Sequence, residues 1–381
     1  MISKKKNILL LHSSNDLYGA SKIFLQLIDL FISKGFNVHV VFPEKGKLDD
    51  FLNKKDLTVS IHDLGVLRKK YLNPLGLINR LVSNIKAIKF LSNYINKHSI
   101  DLVYTNTSTI LCGGIAAKKN GISSLFHIHE IPTGNLIYEI FSGKIINIIS
   151  NKVLTVSNSV RNHWLKNINA HKIERVYNGI EYKKIDSVIK LEKDQNDFVI
   201  TSVARLIPYK GHKYLIEIAD EIIKKSKKFK FLIVGDTLPS YSYYEKSLKQ
   251  KVKNLGLGNR IKFMGFREDV PNILNQSDLF IHPAISPDPL PTVLFESLYC
   301  NLPTVATNLG GAIEILDNGN NGLLISNNDP KKSANLILDY CNNINLQKKH
   351  LNNSKKFFKI NFNMDLFNKN ILKEVNNLLD G

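Results

Sequence analysis

Two acidic side chains separated by seven residues, Asp288 and Glu296, lie in the stretch FMGFREDVPNILNQSDLFIHPAISPDPLPTVLFESLYCNLPTVATNLGGAIE, residues 263–314. Asp288 stands among three alternate prolines, Pro287, Pro289 and Pro291. Ahead of it, Leu279-Phe280-Ile281 reads as a short buried strand. After it, TVLFESLYC has helical spacing and no breaker, which predicts a helix at about 291–300. Proline is tolerated at a helix start because the first amides lack an intrahelical partner. The loop residues Asp288, Leu290, Pro291 and Thr292 then face the amides and the positive dipole end of that helix, an arrangement that binds anions. A phosphate there has one carboxylate on each side. Carboxylates suit vicinal diols, because each oxygen can accept from a separate hydroxyl. A diphosphate with a hydroxyl-rich ring at each end is a nucleotide sugar.

Three other features carry possible chemistry. Arg205 and Lys210 occur in RLIPYKGH, directly after the apolar run FVITSV. Both cations are expected at the carboxyl end of that strand, where Asp288 also lies. Two fixed positive charges there can hold a diphosphate and stabilise it as it leaves. A pair of surface charges is the plainer reading. His127 and His129 alternate in ISSLFHIH and share one face of a strand. HxHE lacks the HExxH spacing of a zinc enzyme, and a strand-end histidine is often structural. Its place outside the carboxyl end of a parallel strand favours a substrate role. Gly19 lets a loop backbone approach a ligand at a helix start, but the three spaced glycines of a dinucleotide site are absent.

These residues need parallel strands with loops at one edge. Strands are expected at 7–11, 37–43, 58–62, 101–105, 122–129, 152–156 and 175–181, with helices at 19–34 and 159–167, the second capped by Ser157-Asn158-Ser159. Residues 66–98 are basic and apolar. Leu77, Ile78, Leu81, Ile85, Ile88 and Leu91 recur at helical spacing among Lys69, Lys70, Arg80, Lys86 and Lys89. A domain helix with a solvated basic face accounts for this; so does a patch on an anionic membrane. Residues 183–197 are polar and unpatterned and read as a linker. Strands then recur at 198–204, FKFLIVGD, RIKFMG, 279–281, TVAT and GLLI, with helices at 212–227, 242–254 and in FREDVPNILNQ, and closing helices at 330–345, 346–359 and 364–379. Two successive α/β units follow, each with its own parallel sheet. The expected domains are 1–190, 191–362, and a last helix at 363–381 packing back on the first.

The bulk numbers agree. The 381 residues suffice for two domains, and 43% hydrophobic with 22% charged residues is globular. A net charge of +19 points to an acidic partner such as anionic lipid or a phosphorylated substrate. Residues 1–190 hold about 27 basic against 13 acidic side chains, so the surplus sits mainly there. Cys112, Cys300 and Cys341 offer neither a disulfide framework nor metal spacing, and a reducing cytoplasm is the expected setting. The apolar run after Lys4-Lys5-Lys6 is too short for a signal segment or a membrane span.

The chain resembles a family 4 (group 1) glycosyltransferase of the GT-B fold, two Rossmann-like domains facing a central cleft. The likeness rests on Arg205-Leu206 with Lys210-Gly211, on the Asp288/Glu296 pair, and on Pro303, Thr307, Gly310-Gly311 and Glu314. Gly19 and His129 correspond to the family's N-terminal glycine loop and strand-end histidine. The resemblance implies retaining transfer of a sugar from a nucleoside diphosphate, with no metal or other cofactor. It implies Arg205 and Lys210 on the diphosphate, Glu296 on the ribose, Asp288 on the donor sugar, His129 toward the reacting sugar or the acceptor, and Phe266 and Arg267 beside the base. Asp288 stands where the family usually has Glu. Ala204, Tyr18 and Asn301 replace usual glycines.

The expected partners are a nucleoside-diphosphate sugar, UDP being the commonest, and a glycan or lipid-linked acceptor held by the first domain. That places the chain in cell-surface polysaccharide synthesis, in the cytoplasm or peripherally on the inner face of the plasma membrane. A non-hydrolysing nucleotide-sugar epimerase and a non-catalytic membrane-associated binding protein remain as other readings. No nucleic-acid module is present.

Overall fold

The computed structural model describes residues 5–15, 19–52, 55, 57–68, 71, 73–132, 136–179, 190–191, 194–237 and 241–380. The chain forms two units, Met1–Gly179 with Met364–Gly381, and Ile180–Asn363. The first contains, in order, β1 (Asn7–Leu11), α1 (Gly19–Ser33), β2 (Asn37–Phe42), α2 (Lys47–Leu52), β3 (Thr58–Ile61), α3 (Pro74–Lys97), β4 (Leu102–Thr105), α4 (Cys112–Lys119), β5 (Ser123–Ile128), α5 (Leu136–Ile149), β6 (Lys152–Thr155), α6 (Asn158–Trp164) and β7 (Ile173–Arg175). The second contains β8 (Phe198–Val203), α7 (His212–Lys225), β9 (Phe229–Val234), α8 (Ser242–Asn254), β10 (Ile261–Gly265), α9 (Val270–Asn275), β11 (Leu279–His282), α10 (Thr292–Tyr299), β12 (Thr304–Thr307), α11 (Gly311–Ile315), β13 (Leu323–Ile325), α12 (Pro330–Asn342) and α13 (Ile344–Asn361). The last helix, α14 (Met364–Asp380), belongs to the first unit.

Both sheets are wholly parallel. Their orders are β3-β2-β1-β4-β5-β6-β7 and β10-β9-β8-β11-β12-β13. Parallel strands are covered on both faces, which explains runs such as ILLL with no polar alternation. Ile8 and Leu10 pack with Phe24, Phe31, Phe367 and Ile371 on one side. Leu9 and Leu11 pack with Leu91, Ile95, Ala116 and Ala117 on the other. The period-2 side-chain alternation of a strand thus feeds two cores. In the second unit, Ile200, Phe231 and Ile281 meet α7 and α12, while Val199, Leu232 and Val234 meet Ile273 of α9.

Several expected elements need correction. The strand read at 175–181 ends at Arg175, and residues 180–181 lie outside the described residues. So do Tyr18, Lys69, Lys70 and most of the expected linker. Helices α4 and α5 are absent from the pattern reading. Gly113 and Gly114 weaken the helical signal of α4, yet a Cβ on either would stand 2.2 Å from Leu11 Cδ1 or 2.8 Å from Phe126 Cε2, so α4 needs both to lie close on the sheet. In α3 the apolar stripe has helical spacing, but Leu77, Ile78, Leu81 and Ile85 are exposed; burial begins at Ala87. Asn301 adopts the left-handed conformation (φ 55°) in place of a glycine.

Candidate active site

In the second unit, neighbouring strands β8 and β11 both end at the edge that carries the charged groups. Arg205 lies in the loop just after β8. Lys210 closes the single turn Pro208–Lys210, and Gly211 follows with φ 77°. A Cβ on Gly211 would sit 1.7 Å from the Pro283 carbonyl oxygen, so only glycine fits between this turn and the end of β11. The loop after β11 carries Asp288. Gly310 has φ 59°, and a Cβ there would meet the Asp288 carbonyl at 2.4 Å; one on Gly311 would meet the Pro289 carbonyl at 2.3 Å. Gly311 N–H donates to that Asp288 carbonyl at 2.8 Å. Three glycine contacts therefore hold the lysine turn and the aspartate loop in place.

The Lys210 ammonium forms an ion pair with the Asp288 carboxylate, and His282 Nε2 lies 3.5 Å from the same oxygen. Burial alone would raise the Asp288 pKa. Lys210 and His282 overcome it and hold the carboxyl well below its usual range. His282 is itself held below the usual histidine value by burial, against the pull of Asp288. His212, at the start of α7, is pushed down to about 3 by burial first and by His282 and Lys210 next. The Lys210–Asp288 pair thus lies beside two imidazoles that burial keeps neutral.

Leu290 and Pro291 are buried, Thr292 opens α10, and Glu296 follows one turn later on the same helix. Phe266 is 59% exposed just after β10, at the far end of this sheet's strand order. Arg267 beside it donates from Nε and Nη2 to the Asp269 carboxylate, both at 2.7 Å. The structure therefore joins Lys210 to Asp288, places Arg205, Thr292 and Glu296 on elements ending or starting at the same edge, and leaves Phe266 and Arg267 past β10, two strands from β8.

The first unit has its own strand-end cluster. His129 follows β5, and its ring lies 4.3 Å from that of His127. His129 Nε2 donates to Asn106 Oδ1 at 2.9 Å, and Asn106 Nδ2 donates to His12 Nδ1 at 3.2 Å. With Nδ1 accepting, neutral His12 carries its proton on Nε2, which lies 3.2 Å from Ser21 Oγ. The relay fixes the ring of His129 from behind. His129 is kept neutral by burial and by the neighbouring His127 and His12. Glu130 accepts from Thr107 Oγ1, Ser108 N and Oγ, and His129 N. Burial raises its pKa although these donors oppose the rise. Gly19 is the first residue of α1, and residues 16–18 before it lie outside the described set.

His12, Asn106, Glu130 and His282 escaped the motif reading. Each lies at or just past the carboxyl end of a parallel strand, the same signal that marks His129.

Comparison with known proteins agrees with this architecture. The profile described as Glycosyltransferase Family 4 matches residues 18–184, and that described as Glycosyl transferases group 1 matches residues 183–357. An uncharacterized glycosyltransferase of Methanocaldococcus jannaschii, MJ1069, is 31% identical over 314 residues, covering 75% of this chain and 78% of that one. The chain belongs to the family 4, group 1 glycosyltransferases. Its fold is GT-B. The Escherichia coli UDP-Gal:alpha-D-GlcNAc-diphosphoundecaprenol alpha-1,3-galactosyltransferase is 26% identical over 347 residues, 84% of each chain. The structure of Anabaena Alr3699/HepE in complex with UDP and glucose superposes with a TM-score of 0.77 and 25% identity, covering 97% of this chain and 99% of the other. As a member of this family the chain is a glycosyltransferase, and no helix among its described residues is long and apolar enough to cross a membrane.

Proposed function

We propose that this glycosyltransferase moves a hexosyl group from a UDP-sugar to a hydroxyl of a glycan or lipid-linked glycan, with retention at the anomeric carbon and without a metal ion, in cell-surface polysaccharide synthesis at the inner face of the plasma membrane. The observation that carries the reading is the Lys210–Asp288 pair beside the N-terminus of α10, built on Gly211, Gly310 and Gly311. The donor named for the Escherichia coli relative and the UDP in the Anabaena complex support the choice of nucleotide. The diphosphoundecaprenol in the relative's name supports a lipid-linked acceptor.

In this reading Lys210 and Arg205 neutralise the diphosphate and stabilise it as the bond to the sugar breaks. The α10 amides add a fixed dipole at the same edge. Glu296 accepts from the ribose hydroxyls and Asp288 orients the donor sugar, while Leu290, Pro291 and Thr292 shape the loop between them. Phe266 and Arg267 flank the base. Gly19 and His129, in the first unit, serve the reacting sugar and the acceptor.

The test follows UDP release from UDP-galactose, UDP-glucose and UDP-N-acetylglucosamine, with and without a lipid-diphosphate sugar. Release is expected to require Arg205 and Lys210, to rise with the acceptor and to persist in EDTA. Conversion of the UDP-sugar to its epimer without UDP release refutes transfer. Absence of thermal stabilisation by any nucleoside diphosphate refutes the donor site.

A further inference from the structure

Helix α3 is too long for the sheet it covers. Its 24 residues run about 36 Å, whereas a strand of four to six residues runs only about 13–20 Å. The surplus is at the N-terminal end. Ala87, Leu91, Tyr94 and Ile95 enter the core, but Leu75 (81% exposed), Leu77, Ile78, Leu81 (63%), Val82 and Ile85 do not. A chain folded for water alone does not keep six large aliphatic side chains along three turns of one helix in solvent.

A second such row exists. α5 buries Ser142, Gly143, Ile146 and Ile149, and exposes Leu136, Ile137 (81%), Ile140 and Phe141 (58%) from its first turns. Both helices pack against α4 on the same face of the first sheet. α3 follows β3 and α5 follows β5, so both exposed ends lie at the carboxyl edge, where His12, Asn106, His129 and Glu130 gather.

The charge on these helices is one-sided, although Arg80 is paired with Asp63 from the loop before α3 at 3.3 Å. α3, α4 and α5 together carry seven Lys and Arg residues, namely Arg80, Lys86, Lys89, Lys97, Lys118, Lys119 and Lys144, against one acid, Glu139. Lys86, Lys89 and Lys144 are exposed, and none makes an ion pair among the described residues. Glu139 lies 3.4 Å from His163 Nε2, an imidazole that burial holds below its usual value, so it stays the single acid of these helices against seven cations. Apolar side chains at the tip with unpaired lysines behind them match the acyl and anionic headgroup layers of a bilayer leaflet. The same surplus makes a second copy of this face a repelled partner.

We propose that the N-terminal halves of α3 and α5 form a docking surface for an anionic lipid bilayer. This deepens the reading of a lipid-linked acceptor by naming the surface that meets the lipid, at the sheet edge that holds His129.

The test is co-sedimentation of the full chain with phosphatidylcholine vesicles and with vesicles that also contain phosphatidylglycerol, which needs no turnover and so stands or falls apart from the assignment of donor and acceptor. The chain is expected to pellet with the anionic vesicles and much less with the neutral ones. The Leu77→Ser/Leu81→Ser variant should bind on the order of 100-fold more weakly, about tenfold for each apolar side chain withheld from the leaflet. Both positions are exposed, so circular dichroism and melting should match the parent chain. Lys86→Gln/Lys89→Gln should weaken binding to anionic vesicles only and reduce its salt dependence. The proposal is overturned if the parent chain stays in the supernatant with both vesicle types, or if Leu77→Ser/Leu81→Ser binds as the parent does. It is also overturned if the apolar rows prove to be covered by a second copy, seen as a concentration-dependent dimer that this variant abolishes.

Discussion

Replacing Lys210 by Met separates the stability of the strand-edge pair from its chemistry. The Asp288 side chain is 12% exposed and that of Lys210 22%. Without the ammonium, Asp288 keeps His282 at 3.5 Å, and that imidazole is held neutral by burial. Removing one partner of a fully buried pair costs about 3–5 kcal/mol; the partial exposure here brings the expectation to about 2–3 kcal/mol at neutral pH. The pH dependence has a definite sign. Burial pushes the Asp288 pKa up, while Lys210 and His282 together push it lower than in the unfolded chain. In the parent protein, then, the group contributes stability above its ordinary carboxyl value of about 4, and loses it as pH falls through the lower folded value. In Lys210→Met the raising effect of burial loses its main opponent, the folded pKa moves up past the unfolded one, and the variant's deficit starts to shrink above about pH 4, as pH falls through that raised value and Asp288 takes a proton. Urea unfolding across this range measures the deficit. Lys210→Met/Asp288→Asn removes the stranded charge and should recover most of the stability. Both variants should lose transfer by roughly 100- to 1000-fold, since the charge opposite the leaving diphosphate is gone in each. Lys210→Met with parental stability at neutral pH would show that the pair contributes nothing. A double variant that regained turnover along with stability would make Lys210 a structural residue only.

Gly211→Ala is expected to lose on the order of 2 kcal/mol or more and most of the activity, because its φ of 77° and the 1.7 Å approach to Pro283 leave no room for a methyl group; an unchanged urea midpoint would contradict this. Glu130→Ala strands the donors Thr107 Oγ1, Ser108 N and Oγ, and His129 N, and should cost about 1–3 kcal/mol in denaturant unfolding. His129→Ala should lower turnover about 10- to 100-fold with UDP affinity by calorimetry unchanged, and Asn106→Ala should do the same more weakly by releasing the ring. His127 and His212 are each pushed down to about 3 by burial, so the unfolded chain binds more protons and stability falls as pH drops below about 6.5, by up to roughly 1.4 kcal/mol per pH unit for each group. Neither ring nitrogen of His212 has a hydrogen-bond partner among the described residues, so His212→Leu should flatten that slope, and an unaltered slope would refute the assignment.

Much of this molecule is legible in one dimension because parallel strands announce themselves. NILLL, VHVVF and LVYT are apolar on both faces since helices cover both faces, and a Gly or a polar cluster marks where each run stops. Gly211, Gly310 and Gly311 point to close backbone approaches, and the structure supplies the carbonyls they approach. Where pattern reading fell short, the reason is physical. α5 reads LIYEIFSGKIINII, apolar nearly all round, so no 3.6-residue stripe emerges. α3 has its stripe, but spacing cannot tell whether a sheet lies beneath it, and the sheet ends too soon. His12, Asn106 and His129 stand 94 and 23 residues apart along the chain and become one relay only when β1, β4 and β5 align.

The two units use one rule of construction to different ends. Each gathers side chains where parallel strands stop and glycine lets loops turn. At the second sheet this edge is charged: Lys210 against Asp288, with Arg205 in the adjoining loop and a helix start close by. At the first sheet the cluster past β4 and β5 is built of uncharged rings: burial keeps His127 and His129 neutral, the Tyr104 hydroxyl and the Asn106 amide bond them, and Glu130 is met by donors of the neighbouring loops. A doubly charged diphosphate needs opposite charge, held rigidly so that none of its attraction is lost to reorganisation. A sugar hydroxyl needs directional hydrogen bonds from groups that pull no counter-ion into the site. These electrostatics favour the proposed assignment of donor to the second unit and acceptor to the first, and that proposal makes a distinct demand: raising ionic strength should weaken UDP binding through Arg205 and Lys210 while leaving the apparent affinity for a neutral glycan acceptor unchanged.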